Sequence, residues 1–167
     1  MLYCKLMGKR AKPFSRKSNA FPAIFWAGLI AGILDMTDAL VFYYLRGVKP
    51  TRILHSIASG LLGPAAYRGG WKTAALGMAL HFVIAFGAAT VFYIASRKLR
   101  FLTRHAVISG LLYGGAIYLF MNRVVVPLSR AARSTAPQQM IPLVNGVLAV
   151  VLCVGLTIAL VIRRFSR

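Results

Sequence analysis

The sequence predicts an all-α membrane protein: a four-transmembrane-helix bundle with a short interfacial or re-entrant helix between spans one and two. Three observations carry this prediction. The 167 residues are 59% hydrophobic, with mean hydropathy +0.70. The apolar residues form four continuous runs of about 20 residues each, the length that crosses roughly 30 Å of hydrocarbon; continuous runs argue against a β-barrel, whose strands alternate. The charges divide unevenly, with 21 Lys and Arg at or near the run ends against 2 acidic residues. Both acids, Asp35 and Asp38, lie inside the first run.

Residues 1–20 carry Lys5, Lys9, Arg10, Lys12, Arg16 and Lys17 and read as a disordered basic tail. The apolar run after it is too long for a signal peptide and more runs follow, so it is read as an uncleaved first span over about 21–45. Gly28 and Gly32 form a G-x-x-x-G there. Small residues four apart let a second helix approach closely, whether from the same chain or from another copy.

The longest connection is 46–72. Its middle, Arg52 to Leu62, is helix-like but too short to span, and Pro50 and Gly63-Pro64 bound it. Gly69-Gly70 break the chain before Trp71, an interfacial anchor. Span two covers about 73–96 and contains His81, and 97–104 is a short basic turn. Span three, about 105–127, holds a second G-x-x-x-G at Gly110 and Gly114, then Asn122 and Arg123 before Pro127. A polar loop over 128–142 leads to span four, about 143–162, with Asn145 near its start; 163–167 is a basic end. IASGLLGPAAY at 57–67 echoes ISGLLYGGAIY at 108–118, which raises the question of an internal repeat.

Thirteen Lys and Arg lie in the two terminal segments and the 97–104 turn, against seven in the connections 46–72 and 128–142. The positive-inside rule then places both termini in the cytoplasm, with a bacterial inner membrane as the expected location. The formal charge of +19 is accounted for by orientation and anionic headgroups, so the expected partner is the lipid bilayer. A homo-oligomer or a membrane partner protein stays open. Nucleic acid is not expected, because no basic domain stands outside the spans. Cys4 and Cys153 are far apart in the chain and are expected to be reduced thiols.

Counting the rise per residue places Asp35 and Asp38 roughly 10–15 Å from the outer end of span one. His81 lies about 12 Å into span two, Asn122 and Arg123 roughly 6–8 Å into span three, and Asn145 about 3 Å into span four, all from that same side. The polar groups thus gather in the outer half, and the inner half offers little beyond Thr90 and Thr157. Acids facing lipid would cost about 2.5–3.5 kcal/mol each, so they are expected to face the bundle interior. Arg123 is the expected counter-charge and His81 a second partner. Two readings follow. In one, Asp35, Asp38, His81, Asn122, Arg123 and Asn145 form an outer-half pocket that binds or relays a small polar ligand, ion or proton, which leaves a transporter open. In the other they form a buried ion network in a structural or accessory protein, with the glycine faces serving assembly.

No enzyme is expected. D-x-x-D at Asp35 and Asp38 supplies two carboxylates, and no third acid exists to complete a magnesium–diphosphate site. A b-type haem would need two facing histidines, and only His81 is well inside a span. His55, His81 and the two acids lack the spacing of a zinc site. No cofactor or metal is assigned.

The run PTRILHSIASGLLGPAAYRGGWKTAALGMALHF, with YGGAIYLFMNRVVVPLS, resembles small bacterial four-span inner-membrane proteins of no established activity. The similar features are ILHSIASGLLG, His81-Phe82, and Asn122 with Val124 to Pro127, within about 21–162. The resemblance implies a four-span fold and brings no functional residue with it.

Overall fold

The computed structural model describes residues 20–131 and 139–166. The basic tail with Cys4, residues 132–138 of the loop read at 128–142, and Arg167 lie outside the described residues. Within them the chain is helical, and four helices are long and apolar enough to cross a membrane: α1 (Ala20–Tyr44), α3 (Gly70–Lys98), α5 (Ala106–Leu128) and α6 (Met140–Ser166). Between them lie α2 (Pro50–Leu62) and the short α4 (Arg100–Arg104). The 97–104 segment is therefore not a bare turn, since α4 fills most of it.

The distribution of residues by size identifies the solvent. The core is built from small side chains: Ala23, Ala27 and Ala31 on α1, Ala89 on α3, Ala106 on α5 and Ala159 on α6 are fully buried. Among the described residues, Phe92, Ile158 and Ile162 are the only large ones fully enclosed. Large apolar residues such as Val83, Leu112 and Phe120 point outward from the middle of the spans. Water would penalise such a surface, whereas in hydrocarbon it is the lipid face, and helix contact is left to small residues. The chain is an integral multi-pass membrane protein.

Two antiparallel seams organise the bundle. In the first, Gly28 and Gly32 of α1 lie against Phe86 and Phe82 of α3. In the second, Gly110 and Gly114 of α5 meet the backbone of Val151, Gly155 and Leu156 on α6. Contacts between α1 and α6 join the seams, so the spans run α3–α1–α6–α5. Both glycine pairs are thus covered within one chain. Between α3 and α5, Tyr113 Oη donates to the Ala88 carbonyl at 2.7 Å, and its ring packs on Phe92. The half holding the termini is therefore not without polar groups beyond Thr90 and Thr157, as Tyr113 and the buried Ser109 lie there too.

Helix α2 packs along α3, with Leu54 backbone against Gly77. Its far end meets the chain just after α5, where the Arg130 N–H donates to the Gly60 carbonyl at 2.9 Å. Gly63 follows at φ 67°, a left-handed turn that glycine adopts without a steric penalty, and a 3₁₀ turn (Gly63–Arg68) leads back to α3. That break separates the two similar stretches. Residues 57–67 bend at Gly63-Pro64, while 108–118 stay in one continuous helix, so the echo is not a structural repeat.

Both α5 and α6 contain π-helical segments, Met121–Val125 and Val150–Leu156. The first precedes Pro127, whose ring removes a backbone donor. That donor would serve the Arg123 carbonyl, inside the widened segment, and polar side chains also bond carbonyls at both π segments. Asn122 Nδ2 bonds the Tyr118 carbonyl in α5, and the Thr157 hydroxyl bonds the Leu152 carbonyl in α6.

Candidate functional site: two acids in different surroundings

Asp35 and Asp38 are three residues apart on α1 and share a face. Both are half-buried, yet their neighbours differ. Asp38 faces α6, where Asn145 Nδ2 donates to its Oδ2 at 2.8 Å. Asp35 borders a space of about 150 Å³ in the middle of the bundle. Gly32 and Asp35 of α1, Ile57 of α2, His81, Ile84, Ala85 and Ala88 of α3, Ile117 and Met121 of α5, and Val150 and Val154 of α6 line it. Every span contributes, and Asp35 and His81 are the only ionisable residues in the wall among the described residues.

His81 is held in a defined protonation pattern. Its Nε2 lies 2.9 Å from the Gly32 carbonyl oxygen. A carbonyl only accepts, so Nε2 carries a hydrogen and donates it, leaving Nδ1 as the nitrogen that can gain or lose a proton. Gly32 makes this contact by having no side chain, because a Cβ there would stand 2.8 Å from the Phe82 ring. The same small residue that brings α3 close to α1 therefore supplies the acceptor that orients the imidazole.

The expected ion pair with Arg123 is not formed. Among the described residues no Lys, Arg or His nitrogen lies within 4.0 Å of either carboxylate. Arg123 is exposed, and Asn122 is exposed and spends its amide on its own helix. Two physical reasons separate them from the acids. Arg123 lies about 7 Å from the end of α5, within reach of the headgroups for a long side chain that keeps its stem in hydrocarbon. The π turn at Met121–Val125 also changes the angular register that an α-helical count assumes. Of the six candidate polar residues, the structure brings four together as two pairs: Asp35 and His81 lining one cavity, and Asp38 and Asn145 in contact nearer the end of their helices.

Sequence reasoning missed Ile57 and Met121, which close the cavity from α2 and α5. They are ordinary apolar residues, and no signal in the chain sets them apart. Tyr113 did carry a signal, as a hydroxyl in mid-span that must find a partner. Among the described residues no three His, Cys, Asp or Glu side chains converge on one point.

Chemically, the site is a small, partly open space with mostly apolar lining, bordered by an acid and an imidazole that form no ion pair with each other. Such a chamber is roomy enough for a few water molecules, each of which occupies about 30 Å³ in the liquid. No protein-family model, curated protein or solved structure matches the chain.

Proposed function

We propose that this membrane protein binds a proton or a small monovalent cation between Asp35 and His81. The observation that carries the reading is the pairing of an acid and a histidine on one cavity, with no Lys or Arg among the described residues paired to the acid. An ionised carboxylate in a low-dielectric space needs a compensating positive charge. With Arg123 outside, that charge comes from a proton, from an imidazolium at His81, or from a bound ion. Asp38 already has a donor in Asn145 and is assigned the supporting role of orienting α1 against α6. The reading is non-enzymatic, in a bacterial inner membrane with both termini cytoplasmic, a topology supported by the excess of Lys and Arg at the termini end.

Infrared difference spectroscopy on purified protein in lipid tests it, with steps from mildly acid to mildly alkaline pH and from sodium to a large organic cation. The expected result is a responding carboxyl band that Asp35→Asn removes and Asp38→Asn leaves. A wild-type spectrum with no responding carboxyl, or a band indifferent to Asp35→Asn, would overturn the proposal.

A second reading, a structural or accessory protein, draws on the two interhelical bonds, Asn145 to Asp38 and His81 to Gly32, which tie α1 to both neighbours. It expects substitutions at these residues to lower stability and to move no ion-dependent signal.

A further inference from the structure

The end of the bundle opposite the termini holds a second, larger cavity of different chemistry. It measures about 510 Å³ and lies between the α1–α2 turn, the first two turns of α2 and the 3₁₀ turn. Lys49, Thr51, Arg52, His55 and Tyr67 supply its polar lining. No acid is present, and none is available nearby, because the only two in the chain are inside α1. The walls are held in place: His55 Nε2 donates to the Gly70 carbonyl at 2.8 Å, and its ring meets Tyr67 edge-on. The remaining face of α2 lines an apolar groove of about 420 Å³ with α3 and α5, through Ile57, Leu61, Leu80, Ile84, Met121 and Val125.

We propose that this helix seats one anionic phospholipid, with its phosphate in the basic cavity and an acyl chain along the groove. Charge complementarity identifies the headgroup: two cations, Lys49 and Arg52, with the hydroxyls of Thr51 and Tyr67 suit a phosphate, and the lack of any acid leaves a zwitterionic headgroup no carboxylate for its ammonium. The apolar groove on the same 13-residue helix selects a lipid over free phosphate. The cavity lies at the ends of α1 and α3, beside the exposed Trp71, where headgroups stand.

Native mass spectrometry of the full chain, released from mixed phosphatidylglycerol and phosphatidylcholine, tests this. Wild type is expected to retain one phosphatidylglycerol in preference to phosphatidylcholine and to keep it against added inorganic phosphate. Lys49→Gln with Arg52→Gln should weaken retention roughly thirtyfold, from about 1 kcal/mol per basic residue. Arg97→Gln with Lys98→Gln, at the other end of α3, should leave it unchanged. Equal retention of the two lipids by wild type, displacement by inorganic phosphate, or equal loss in both double variants would overturn the proposal. The first of these needs no variant to fold.

Discussion

The two seams of the bundle are built on the same motif and packed in opposite ways. Where α5 crosses α6, backbone meets backbone: a Cβ on Gly155 would strike the Gly110 carbonyl and the Gly114 backbone. Where α1 crosses α3, glycine meets the aromatic rings of Phe82 and Phe86, and the same helices hold Asp35 and His81 at the edge of the central cavity. The comparison teaches that this chain can close a helix interface fully. The space beside Asp35 is therefore a feature of where its polar groups are, and not of loose packing throughout.

The largest effect is expected at the closed seam. Gly155→Ala should destabilise by about 2 kcal/mol or more, because the new methyl meets backbone that cannot swing aside. Gly115→Ala, beside Gly114 but facing open space, should be neutral or stabilising by up to about 1 kcal/mol through helix propensity. Unfolding in mixed micelles measures both, and similar losses at the two sites would break the contrast. Ala88→Leu at the cavity wall should fill the space while leaving Asp35 and His81 in place. It is expected to suppress the pH- or cation-dependent carboxyl signal at little cost in stability. A signal of wild-type size would mean that the cavity is not where the ion sits.

Smaller effects should follow at the outlying polar groups. Asn145→Ala removes the donor to Asp38 and should cost about 0.5–1.5 kcal/mol, the range of interhelical hydrogen bonds in membranes. Arg123→Gln should change stability by less than about 0.5 kcal/mol, since the side chain is exposed and pairs with neither acid. A loss of several kcal/mol there would restore the ion network that the sequence suggested.

What the chain revealed in advance divides along the same line. The spans, α2 and its Gly63 break were legible, because length, apolar content and Gly-Pro punctuation are local properties. Which polar groups meet was not. A fixed rise per residue puts Asp35, His81 and Arg123 at comparable heights on their helices, but meeting also depends on which spans are neighbours and on angular register. The order α3–α1–α6–α5 packs α3 and α6 against α1, and α5 reaches the space beside Asp35 only through Ile117 and Met121, while the π turn at Met121–Val125 defeats an angular count made at 3.6 residues per turn. The paired glycines were visible as close-approach sites, yet nothing local distinguished a partner within the chain from one outside it.

The central claim is that Asp35 and His81 act on one ion through the cavity they share. Imidazole ¹⁵N NMR of His81, in labelled protein in lipid, tests it most directly when wild type and Asp35→Asn are each stepped in pH and cation. The account predicts that the wild-type His81 signals move with the step and that Asp35→Asn abolishes or strongly shifts that response. An unresponsive wild-type His81, or a response identical in Asp35→Asn, would show that the two residues do not share an ion and would contradict the account.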